Sequence, residues 1–125
     1  MPIDLIRLWD LSTRYTAAWC SQNPATVAAF YSHDGSLTVN DGFPAVGRNA
    51  ITELAQSFMT AFPDLCVVMD NLVLQDDEAE HYRTLTGNKS VPGSAGRRVR
   101  ISGVEKWRLG GKRLDRLLAG SLRYG

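Results

Sequence analysis

An α+β domain is predicted by the order of three patterns along the chain. Helical spacing of apolar residues fills the first half, alternating strand-like runs fill the second, and the change falls at one proline, Pro63. Helices that precede an antiparallel meander are expected to pack together on one face of its sheet. At 125 residues, 44% hydrophobic, the chain can bury one core without help from disulfides or metals.

Each element has its own signal. Leu8, Leu11, Tyr15, Ala18 and Trp19 recur at three- and four-residue spacing, which predicts a first helix over Asp4 to Cys20. Asn23-Pro24 supplies an N-cap and a first-turn proline for a short second helix with Val27, Phe30 and Tyr31 on its apolar face. His33-Asp34 reads as a solvated cap at the end of that helix, and Asp34-Gly35 as a turn. Ser36 to Asn40 reads as a short strand and 41–44 as a loop. Ile51, Leu54, Ala55, Phe58 and Phe62 stripe a third helix from about Asn49, which Pro63 ends. Strands follow over Leu65 to Gln75, Ala79 to Gly87, Val99 to Leu109 and Leu114 to Tyr124. They are joined by turns at Asp76-Asp77 and Gly110-Gly111 and by a Gly/Ser/Pro-rich loop over Asn88 to Gly96.

Composition narrows the function. A net charge of +1 argues against nucleic acid as a partner, and the basic run Arg97-Arg98-Val99-Arg100 reads as a wet strand face. No stretch is long and apolar enough for a membrane span, and Met1 to Leu5 lacks the basic and apolar regions of a secretory leader, so a cytoplasmic location is expected. Cys20 and Cys66 are far apart in sequence without metal-ligand spacing and read as incidental thiols. Two histidines without suitable spacing leave no metal site expected, and no phosphate loop or nucleophile triad is present.

The third long strand is the most informative stretch. One of its faces carries Val99, Ile101, Gly103, Glu105, Trp107 and Leu109, so a single carboxylate stands on an apolar face. Under the helices, Glu105 would be held from water, with its pKa pushed up and able to donate a proton. Gly103 would leave room for a ligand and Trp107 would wall it. The alternative is a buried ion pair with Arg83, which shares a face of the neighbouring strand with His81 and Leu85. Trp9, Trp19, Phe43, Phe58, Met59, Phe62 and Met69 read as core or pocket wall. His81, if inward and near a carboxylate, would suit proton transfer.

Several pieces, in this order, carry a resemblance. They are Arg14-Tyr15-Thr16-Ala17-Ala18-Trp19, Asn23-Pro24, Ala28 to Gly35, Val46 to Ile51, Phe62-Pro63-Asp64, and Val104-Glu105-Lys106-Trp107-Arg108-Leu109 followed by glycine. The chain resembles the nuclear transport factor 2-like superfamily, and within it the SnoaL-like and ketosteroid-isomerase-like proteins. The resemblance implies a cone of three N-terminal helices on a curved antiparallel sheet, around a pocket for an apolar molecule. It implies cofactor-independent isomerisation or aldol-type cyclisation of a steroid-, polyketide- or terpenoid-like carbonyl compound, or ligand binding without catalysis. Tyr15 then matches the helix tyrosine and Glu105 the protonated strand acid of ketosteroid isomerase, which is a worked example of such tuning. The proton carrier would be His81 or Asp41, and Asn40 shares the region of Asp41. The pocket would be lined by Trp19, Asn40, Phe43, Phe58, Met59, Phe62, Arg83 and Trp107. A homodimer through the open sheet face is also implied, with Val68, Leu72 and Leu74 contributing.

Overall fold

A computed structural model describes residues 2–76, 78–89, 97–110 and 116–124, with side chains from Leu5 onward. Three helices, α1 (Pro2–Cys20), α2 (Pro24–Ala28) and α3 (Arg48–Ala61), lie on one side of a six-stranded sheet. The strands are β1 (Tyr31–Val39), β2 (Ala45–Val46), β3 (Cys66–Gln75), β4 (Glu78–Lys89), β5 (Arg97–Gly110) and β6 (Arg116–Tyr124). The sheet order is β2-β1-β6-β5-β4-β3, and no described helix is long and apolar enough to cross a membrane. Asp77, residues 90–96 and Gly111, expected in turns and a loop, lie outside the described residues.

Local chemistry explains the helix ends. Asn23 caps α2 by accepting a hydrogen bond from the Ala25 amide, with Pro24 in the first turn. α3 starts after Gly47, whose φ of 87° is open to glycine at no steric cost, and Pro63 follows its end. The α1 stripe is buried as its spacing requires, joined by Ser12 and Thr16, whereas Trp9 is 56% exposed and belongs to no core.

Three expectations about the elements change. α2 stops at Ala28, so Tyr31 is no helix residue but opens β1, and His33 and Asp34 lie within that strand instead of capping a helix. β1 pairs parallel with β6, so the sheet is mixed and not wholly antiparallel. The pairing runs from Tyr31↔Leu117 directly to Ser36↔Ala119, a bulge that absorbs the expected Asp34-Gly35 turn. In β3 a second bulge between Met69 and Asn71 switches the face. Val68 therefore points outward, while Leu72 and Leu74 pack on the core and leave the outer face.

Candidate functional site around Glu105

β5 keeps the expected phase: Glu105, Trp107 and Leu109 are buried between exposed Lys106 and Arg108. Its registry sets Glu105 opposite His81 of β4 and Leu122 of β6. α1 brings Tyr15 down onto the carboxylate, with its hydroxyl 3.0 Å from both Oε1 and Oε2. Tyr31, at the start of β1, donates to Oε2 at 2.8 Å, and the two tyrosine hydroxyls are 2.8 Å apart. Arg83 Nη1 donates to Oε1 at 2.9 Å, and Nη2 donates to the Tyr124 hydroxyl at 3.1 Å. The Arg83 guanidinium also lies over the Trp19 ring at 5.0 Å.

Glu105, Arg83, Tyr15, Tyr31 and His81 are 0% exposed, so no water-sized space touches them. Burial works against the charge of Arg83, but Tyr124 and Glu105 outweigh it and the net shift is upward. A permanently charged guanidinium in a dry core demands an anion, and Glu105 is the carboxylate in contact with it. The ion-pair alternative is therefore the geometry found. Burial first, and then the Glu105 charge, push both the Tyr15 and Tyr31 hydroxyls well above their ordinary range, so both remain proton donors.

His81 stands beside this centre without joining it. Thr16 Oγ1 gives its proton to the Ser12 carbonyl at 2.7 Å and so accepts from His81 Nε2–H at 2.9 Å. Nδ1 is then an unprotonated acceptor, and it has no partner among the described residues. Burial, aided by the Arg83 charge, lowers the imidazole to about 3, and the neutral ring stacks on Trp107 at 4.8 Å. Such a ring takes up no proton near neutral pH. Arg83 Nε and the indole N–H groups of Trp19 and Trp107 likewise lack acceptors among the described residues.

The remaining candidates divide by position. Trp19, Trp107, Met59 and Phe62 are buried, and half-buried Phe58 meets Trp19 edge-on at 5.6 Å. Asp41 faces solvent and pairs with Arg123 at 2.8 Å; its side chain is 86% exposed. Phe43 is 99% exposed, so the loop turns outward and not over the core. Asn40 is exposed and accepts from the Tyr124 amide. Gly103 leaves no space on its Cβ side, where an added Cβ would strike the Arg123 carbonyl and the Tyr124 ring. A depression of about 460 Å³ does open beside Asn40, Tyr82, Ser102, Gly103, Val104, Arg123 and Tyr124, and Tyr124 separates it from the buried Arg83–Glu105 pair. Among the described residues no three His, Cys, Asp or Glu side chains gather to hold a metal.

Tyr31, Gly120 and Tyr124 belong to the centre and escaped the sequence reading. Tyr31 was hidden by a helical spacing that continues past the end of α2. Tyr124 carried a usable signal, the alternation Gly120, Leu122, Tyr124 in the last strand. Gly120 is the glycine that makes room: a Cβ there would lie 2.6 Å from Glu105 Oε2 and 2.9 Å from the Tyr31 hydroxyl.

The sequence model of the SnoaL-like domain matches residues 12–116. Among curated proteins none matches the chain. A hypothetical protein of ketosteroid isomerase-like fold from Catenulispora acidiphila DSM 44928, crystallised with trimethylamine, superposes with a TM-score of 0.81. It is 16% identical, over 92% of this chain and 85% of that one. A protein provisionally named a polyketide cyclase, from Xanthomonas campestris pv. campestris, gives 0.78 at 16% identity over 98% and 93% of the two chains. A ketosteroid isomerase-like protein from Erwinia carotovora atroseptica SCRI1043 gives 0.72 at 18% identity over 97% and 95%. At such identities the likeness establishes the fold and not the reaction.

Proposed function

The chain belongs to the family of SnoaL-like domains, and from that premise we propose that it is a small-molecule protein carrying out acid–base chemistry on an apolar carbonyl compound. Isomerisation or aldol-type cyclisation of a steroid-, polyketide- or terpenoid-like substrate fits, without a cofactor. The observation that carries the proposal is the convergence of the Tyr15 and Tyr31 hydroxyls on one buried carboxylate, Glu105. Two phenols are ready donors for a carbonyl oxygen that gains charge, and the carboxylate can receive the proton lost from the adjacent carbon. Glu105 thus acts as base, not as acid. Asp41, solvent-facing and paired with Arg123, takes no part, and neither does the neutral His81. The N–H groups of Arg83 Nε, Trp19 and Trp107, without acceptors among the described residues, are further donors for a ligand's oxygen. Entry requires repacking of half-buried Phe58 and Tyr124, whose rings meet at 6.2 Å beside Arg83.

The test is conversion of an unconjugated β,γ-unsaturated cyclic ketone to its conjugated isomer, followed by ultraviolet absorbance. Glu105→Gln is expected to lose about 100-fold or more in rate while its circular dichroism stays native. Undiminished turnover in that variant sinks the mechanism. A second reading, an apolar binding module without catalysis, is favoured by the Arg83–Glu105 pair, which already occupies the carboxylate. Saturable binding of the ketone without turnover in the native chain selects it. We also propose that two copies pair through the outer sheet face, where Val68 and Val73 are exposed.

A further inference from the structure

We infer that Cys20 and Cys66 form a redox-active pair that closes to an intramolecular disulfide when a hydroperoxide oxidises the exposed thiol. The fold juxtaposes what the sequence separates. Cys20 is the last residue of α1 and Cys66 the first of β3, and their sulfurs lie 3.8 Å apart. Both thiols are free.

The two sites are unlike, as attacking and resolving thiols are. Cys66 is exposed and open to a small oxidant, whereas Cys20 is half-buried. Cys20 Sγ is fixed between the two backbone groups of Val67: it donates to the carbonyl at 3.3 Å and accepts from the amide at 3.1 Å. Gln22 Nε2 donates to the Leu65 carbonyl at 3.2 Å, so the end of α1 is already docked on the start of β3. Bond formation needs an approach to about 2.0 Å, and the exposed Cys66 side chain is the less confined of the two. Burial pushes the Cys20 thiol up, which keeps it from direct oxidation and leaves exposed Cys66 the first to meet an oxidant.

The steps balance. The Cys66 thiol ionises, and its thiolate attacks the hydroperoxide; the O–O bond breaks, the sulfur becomes a sulfenic acid, and the thiol's proton goes to the alkoxide, which leaves as an alcohol. Cys20 sulfur then attacks Cys66 sulfur; the S–O bond breaks, the thiol proton goes to the departing hydroxide, and water leaves. Two thiols lose two electrons, and one hydroperoxide is reduced. The bridge fastens α1, with its Tyr15 and Trp19, to the sheet edge.

Treating the full chain with tert-butyl hydroperoxide tests it. Loss of both thiols, an intact mass lower by two hydrogens, a monomeric band on a non-reducing gel and reversal by dithiothreitol are expected. The melting midpoint should rise on the order of 5–10 °C. In Cys20→Ser a sulfenic acid at Cys66 should become trappable by dimedone, and in Cys66→Ser the remaining thiol should react at least tenfold more slowly. Sulfinic acid accumulating on native Cys66 while Cys20 stays free overturns the inference. So does a bridge formed between two copies of the chain.

Discussion

A Cβ at position 120 would stand 2.6 Å from Glu105 Oε2, a separation no relaxed structure tolerates. Gly120→Ala must push the carboxylate off its two phenols or bend β6. A loss of about 2–3 kcal/mol is expected in urea unfolding, as for overpacking elsewhere. Gly110→Ala is the control, since its Cβ meets the end of the flexible Leu118 side chain instead of a hydrogen-bonded network. His81 makes a pH prediction with a definite sign. Its folded-state value of about 3 lies below the ordinary 6.5, so below pH 6.5 the unfolded chain binds a proton that the native chain refuses. Stability is therefore full above pH 6.5 and falls as pH drops toward 3, by up to about 1.4 kcal/mol per unit. Unfolding free energies at pH 6.5 and 5 should show this slope in the native chain and a flatter one in His81→Leu. An equal slope in both would place the titration elsewhere.

At the scale of elements, helices announced themselves and strand partners did not. A five-residue helix has little intrinsic stability, so α2 rests on its cap and its packing. Asn23→Ala removes the acceptor for the Ala25 amide and should cost about 1 kcal/mol, measured by chemical denaturation, with Asn23→Asp near native. The β5 face was legible because period-two alternation survives wherever one side of a strand is buried, and Glu105 interrupts an otherwise apolar series. The β3 face was misread because the bulge at Met69–Asn71 shifts the phase by one residue, and no residue type there signals it. Tyr31 was missed for a similar reason. Val27, Phe30 and Tyr31 keep helical spacing, yet the helix stops at Ala28 and Tyr31 joins the sheet by pairing with Leu117.

At the scale of the molecule, the outer sheet face predicts association. Val68, 54% exposed, lies on it, and Val68→Asp should shift sedimentation of micromolar protein from dimer to monomer without altering circular dichroism. A native chain that sediments as a monomer at that concentration rejects the pairing. The sequence by itself determined the class of fold, the three helices, the four long strands and the inward direction of Glu105, because each follows from local periodicity and from proline or glycine punctuation. Tertiary structure alone decided the charge state that surrounds this carboxylate and the space left around it. Arg83, Tyr31 and Gly120 reach Glu105 from three different strands, 22, 74 and 15 positions away in the chain. Whether a lone buried carboxylate is a free acid or a paired base depends on which neighbours arrive, and those neighbours are set by strand order and register, which local sequence does not encode.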